Sequence, residues 1–93
     1  MKTISLLIGN TDNRLTQKEW SKFVEDIKFS VHCCCNTLFF FGGPPNYSEW
    51  QNVAFVFGIK DDQIPELKAR VTHDRIQYQQ TSAAWVEGET EFI

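Results

Sequence analysis

Apolar residues alternate between two spacings along the chain, and the switches divide it into strands and helices. Ile4, Leu6 and Ile8 recur every second residue with Ser5 and Leu7 between them. Residues 3–9 therefore predict a first strand, largely apolar on both faces as a central strand requires. Gly9-Asn10-Thr11-Asp12-Asn13 follows with turn chemistry. The spacing then becomes helical: Trp20, Phe23, Val24, Ile27, Val31 and Cys34 share one side. Thr16 and Glu19 have the T-x-x-E spacing of a capping box, and Leu15 and Trp20 that of a hydrophobic staple. A helix from 17 to about 33 is expected.

Period-two patterning returns at Thr37–Phe41, a second strand with three consecutive phenylalanines. Gly42-Gly43-Pro44-Pro45-Asn46 breaks regular structure, and the loop is expected to run through Trp50. In Asn52–Ile59, Val53, Phe55, Phe57 and Ile59 alternate with Ala54, Val56 and Gly58, which predicts a third strand. Asp61 or Asp62 is expected to cap a second helix, with Pro65 in its first turn. Ile64, Leu67, Val71 and Tyr78 lie along one side of it, and Lys68, Arg70, Asp74 and Arg75 are assigned to solvent. Ser82–Glu87 is the last strand, with Gly88 either ending it or leading into an extension through Thr90, Phe92 and Ile93.

The order strand, helix, strand, strand, helix, strand predicts an α+β fold. With two right-handed crossovers it becomes a ferredoxin-like βαββαβ sandwich, a four-stranded antiparallel sheet of order 4-1-3-2 with both helices on one face. Ninety-three residues are too few for a second core, so the expectation is a single domain over 1–93. Such a sandwich leaves one sheet face uncovered. That face is expected to present Ser5, Leu7, Phe40, Ala54, Val56, Gly58 and Trp85, a large apolar patch for a monomer. Self-association would cover it, and so would a ligand held over the sheet.

Composition narrows the partners. The net charge of −3 and pI near 5.2 argue against a general nucleic-acid or anionic-membrane binder, which needs a concentrated positive field. The three cysteines are consecutive, Cys33-Cys34-Cys35, which builds no disulfide framework and suits a reducing compartment. Met1–Ile8 has the outline of a secretory signal, but its apolar run is too short and Asn10–Arg14 stand where the cleavage site belongs. No stretch approaches the roughly 20 apolar residues of a membrane span. A cytoplasmic protein is expected.

No motif carries chemistry outright. His32-Cys33-Cys34-Cys35 lacks the paired spacing by which side chains converge on zinc, and reads as a helix end with buried thiols. Gln51–Val56 resembles a degraded form of the aromatic run in RNA-recognition modules. It lacks the basic residue, the glycine and one stacking aromatic, and Ser5 stands where a second aromatic belongs. Glu87, Glu89 and Glu91 alternate as a solvated strand edge. The candidate binding site is the end of the sheet where three loops should converge. These loops carry Asn10, Asp12, Asn13 and Arg14, then Trp50, Gln51 and Asn52, then Gln79, Gln80 and Ser82, with Trp85 on the last strand. Amides, an arginine and a tryptophan can hold a polar or nucleotide-like ligand by stacking and hydrogen bonds. They can equally serve as turn and capping residues.

The runs Ile8–Trp20, Trp50-Gln51-Asn52 and Ala84–Phe92 resemble a group of small uncharacterised proteins of bacteria and their phages. The resemblance implies no activity, only a context in which small acidic proteins act by binding or sequestering. The combined expectation is a non-enzymatic binding or regulatory domain, a homo-oligomer, holding a small polar or nucleotide-like ligand or a protein partner. No cofactor or metal is expected. A phage-type protein that sequesters a nucleotide signal is one concrete form. The alternative is a small ferredoxin-like enzyme of isomerase or monooxygenase type, with its pocket between sheet and helices.

Overall fold

The structure, a computed structural model, describes residues 1–10, 14–43 and 51–93. Its elements are β1 (Lys2–Gly9), α1 (Gln17–Cys34), β2 (Thr37–Gly42), β3 (Asn52–Ile59), α2 (Ile64–Gln77) and β4 (Ala84–Glu89), with a single 3₁₀ turn at Asp61–Gln63. The strands form a four-stranded antiparallel sheet in the order β2-β3-β1-β4, which counted from the other edge is 4-1-3-2. Strand β3 has the expected limits. Strand β4 starts two residues later than expected and runs through Gly88, which pairs with Thr3 rather than ending it.

Local chemistry accounts for α1. The Thr16 hydroxyl accepts from the Glu19 amide at 3.2 Å, and the Glu19 carboxylate accepts from the Thr16 amide at 3.0 Å. These reciprocal bonds satisfy amides that a helix start leaves unpaired. They also hold the Glu19 carboxyl below its usual pKa. Leu15 is buried beneath the turn.

Helix α2 departs from expectation at its start. Neither Asp61 nor Asp62 caps it, because the chain leaves β3 directly into the 3₁₀ turn and Gln63, without a capping side-chain bond, precedes Ile64. Pro65 sits in the first turn, where its missing amide costs no hydrogen bond. The helix ends in a Schellman motif. The Gln80 amide donates to the Arg75 carbonyl and the Gln79 amide to the Ile76 carbonyl, each at 3.0 Å. The left-handed position falls on Gln79, at φ 57°, where glycine is usual. Arg75 reinforces the turn by donating to the Gln80 and Thr81 carbonyls.

Asp74 is a second correction: it is buried rather than solvated. It lies seven residues after Leu67 and three after Val71, on the buried side of α2. There its carboxylate accepts from the Ser30 hydroxyl of α1 at 2.7 Å. Burial raises its pKa more than the Ser30 bond lowers it.

The core lies between the helices and one sheet face. Ile4, Leu6 and Ile8 of β1 and Phe55, Phe57 and Ile59 of β3 meet Phe23, Val24, Ile27 and Val31 of α1 and Leu67 and Val71 of α2. Both margins are closed by a lysine over a ring. Lys28 of α1 lies 4.8 Å from the Phe41 centroid, and Lys68 of α2 lies 5.3 Å from that of Trp85. Among the described residues no helix lies on the opposite face.

Candidate functional site

The three loops of the candidate site do approach one another, since Gly9 pairs with Asn52 and Leu7 with Ala84. Their amides, however, bind each other. The Asn10 side chain is buried, and its oxygen accepts from the Leu15 amide at 3.0 Å. Its nitrogen donates to the Leu15 carbonyl at 3.0 Å and to Gln51 Oε1 at 2.7 Å. Both donor hydrogens are thus engaged, closing the β1–α1 connection onto the start of β3. The Asn10 amide donates to the Gln51 carbonyl, and Gln51 Nε2 reaches Gln17 at 2.7 Å. Asn10 and Gln51 therefore form a clamp that positions the helix start.

The other candidate residues separate. Asn52 is exposed at the start of β3. Arg14 is exposed and lines a hollow of about 310 Å³ with Glu19, Lys22, Tyr78 and Gln79. Gln80 and Ser82 line another of similar volume beside Gly9. Asn13 and Trp50 lie outside the described residues. Trp85 belongs on the helix side, not the open face. It pairs across from fully buried Leu6, packs edge-on to Phe57 at 6.3 Å and donates to Glu87 at 3.0 Å. The expected face is overturned by register: Ala84 pairs with Leu7 and Trp85 with Leu6, which puts Trp85 on the side of the buried β1 residues.

The open face is clear from register. Ala84, Leu7, Ala54 and Gly42 form one row across the sheet, and Val86, Ser5, Val56 and Phe40 the next. Neither row contains a charged residue. Leu7, Phe40 and Val86 are 41%, 54% and 57% exposed. The third row, Gly88, Thr3, Gly58 and Thr37, is low in profile and partly overlaid by Met1 and by residues 90–92. The Met1 thioether lies directly over Gly58, where a Cβ would come within 2.6 Å of the sulfur. The Thr90 and Thr3 hydroxyls are hydrogen-bonded, and the Phe92 ring meets Phe39 edge-on at 6.2 Å. The extra residue at the β2 bulge, between Leu38 and Phe40, is Phe39.

The charges of β4 turn the other way. Glu87 and Glu89 share the helix side with Trp85, where they pair with Lys68 at 3.7 Å and with Lys2. This edge strand thus presents Ala84, Val86 and Gly88 on the open face and its carboxylates beside the helices. That is the reverse of the arrangement by which a solvated sheet face presents polar residues to water.

Other chemistry is sparse. Burial raises the pKa of the Cys34 and Cys35 thiols, the opposite of what a reactive thiolate needs. Among the described residues no group of three His, Cys, Asp or Glu side chains is placed to hold a metal, and no helix is long and apolar enough to cross a membrane. Between α1 and α2 lies an open groove of about 490 Å³ lined by Asp26, Phe29, Arg70, His73 and Asp74. Asp26 accepts from the Tyr78 hydroxyl at 2.6 Å, and partial burial together with that carboxylate pushes the Tyr78 pKa up to about 12. The Ser30–Asp74 and Asp26–Tyr78 pairs were missed in the sequence. The spacing of Asp74 from Leu67 and Val71 was the available signal. The hollow between sheet and α2, lined by Leu6, Val71, Arg75 and Trp85, measures only about 160 Å³. Ligand sites usually span about 300–1,000 Å³. Comparison with protein-family models and with curated proteins finds no match.

Proposed function

We propose that the protein is a non-enzymatic binding or regulatory domain that works through the open face of its sheet. The observation that carries this reading is the reversed patterning of β4, which puts Val86 outward and Glu87 and Glu89 beside the helices. A strand meant for water would bear its carboxylates on the open face, and a strand meant for a protein contact would not. The fold is read as a ferredoxin-like βαββαβ sandwich on its element and strand order, and the setting as phage or bacterial on the resemblance of the sequence runs. A small polar or nucleotide-like ligand at the loop end is the weaker reading, because Asn10 and Gln51 are hydrogen-bonded to the protein itself. The enzyme reading has less support still, from a hollow of about 160 Å³ between the layers.

Native mass spectrometry of the protein purified from its host tests the proposal. Wild type is expected above the monomer mass, and Val56→Lys at the monomer mass with its melting temperature nearly unchanged. A complex of unchanged mass in Val56→Lys, or a monomer carrying a small molecule in both proteins, would refute it.

A further inference from the structure

The open face has a shape as well as a polarity, and its shape selects a partner. In one row Leu7 stands between Ala84 and Ala54, with Gly42 at the β2 edge. In the next, Phe40 stands at the β2 edge and Val86 at the β4 edge, with Ser5 and Val56 between. High and low positions are thus offset across the sheet. In the third row, where the sheet offers Gly88, Thr3, Gly58 and Thr37, Met1 fills the space over Gly58.

We infer that the partner is a second copy of this chain, stacked face to face about a two-fold axis that runs parallel to the strands. The inference rests on the sheet-face reading above and names its occupant. Such an axis exchanges the two edges, so Phe40 of one copy lies over Val86 of the other, Val56 over Ser5, and Leu7 over Ala54. Each large side chain then meets a smaller one, as interdigitating sheet faces require. A two-fold perpendicular to the strands and passing through the Phe40 row would instead set Phe40 against Phe40, large upon large, and the paired variants below separate the strand-parallel axis from every perpendicular placement. Neither of the two rows bears a charge, so two copies meet there without like-charge repulsion despite a net charge of −3 each.

The area of the face bounds the strength of such a pair. Strands about 4.8 Å apart and about 3.3 Å per residue give a four-stranded face of roughly 400 Å² in projection. Two such faces together fall short of the about 1,000 Å² that a stable specific interface clears, which places the pair among weak, transient contacts. The dimer is therefore weak and reversible, dissociating on the order of micromolar concentration.

The test is sedimentation equilibrium of purified protein from low to high micromolar concentration, with variants at the two positions the axis brings together. Wild type is expected to pass from monomer to dimer and no further. Phe40→Lys alone and Val86→Glu alone are expected to stay monomeric. Phe40→Lys combined with Val86→Glu in one chain restores the dimer, because the axis sets each new cation over a new anion, and added salt weakens it. Leu7→Lys with Ala54→Glu asks the same question if Phe40→Lys does not fold. A wild type that stays monomeric throughout overturns the inference, and so does a combined variant that fails to recover the dimer. If the wild type is monomeric alone but Val56→Lys releases a different host protein, the second-copy inference fails and the sheet-face proposal stands. If Val56→Lys changes no complex at all, both fail.

Discussion

The two faces of this sheet come from the same strands and differ in what closes them. On the helix side Ile4, Leu6, Phe55 and Phe57 are fully buried, and a lysine lies over an aromatic ring at each margin. On the other side Leu7, Phe40 and Val86 stand open, with no charge in their two rows. The first face is finished by the chain itself. The second has the composition of an interior without its cover, apart from the end overlaid by Met1, Thr90 and Phe92. On the proposed function one face carries stability and the other association, and substitutions should separate the two.

The largest effect is expected from the covered face. Phe57→Ala removes a fully buried ring and should cost about 3–5 kcal/mol in denaturant unfolding, enough to leave much of the protein unfolded. Its neighbour on the opposite face, Val56→Lys, should change monomer stability by under about 1 kcal/mol. Equal losses at the two positions would break the distinction.

Asn10→Ala comes next. It strips partners from the buried Leu15 amide and carbonyl and from Gln51, and should cost about 1–3 kcal/mol, with loosened hydrogen-exchange protection at the start of α1. Assembly through the sheet face should be unaffected. If Asn10→Ala instead abolished ligand binding at full stability, the clamp would be a recognition site.

Gln79→Gly should raise stability by about 1 kcal/mol, because glycine adopts the left-handed conformation without a Cβ penalty. On a domain of this size that is about 4–8 °C in melting temperature.

Asp74→Asn has the smallest effect and a pH signature. Burial raises the folded-state pKa of Asp74 above its value in the unfolded chain. The folded state thus binds the proton more tightly, a contribution that is complete below the unfolded pKa and lost as pH rises through the folded one. Asparagine still accepts from Ser30 but never ionises. The variant should gain on wild type at neutral pH, and the gain should vanish on acidification. A gain that persists in acid would show that Asp74 is not ionising where it sits.

The fold was largely legible because its signals are local and redundant. Thr16 and Glu19 announce α1, and the alternation from Val53 to Ile59 gives β3 its limits. What could not be read depended on long-range register. Trp85 is on the other face from the one expected because alternation within β4 does not say which of its two faces meets the helices, and only its pairing with Leu6 does. Asp74 was placed in solvent because its partner Ser30 is 44 positions away. The loop amides looked like a site because Asn and Gln serve ligands and loops with the same chemistry, and only the bonds between Asn10, Leu15 and Gln51 distinguish the two. The open face was expected, but the orientation of Glu87 and Glu89, which gives it meaning, was not.

Hydroxyl-radical footprinting in host extract against dilute purified protein tests the central claim most directly. The open sheet face should be protected in extract at Leu7, Phe40 and Val86. Phe29 and Ile76, exposed on the helices, should react equally in both samples. Protection confined to Phe29 and Ile76, or no protection at Leu7, Phe40 and Val86, would contradict the account.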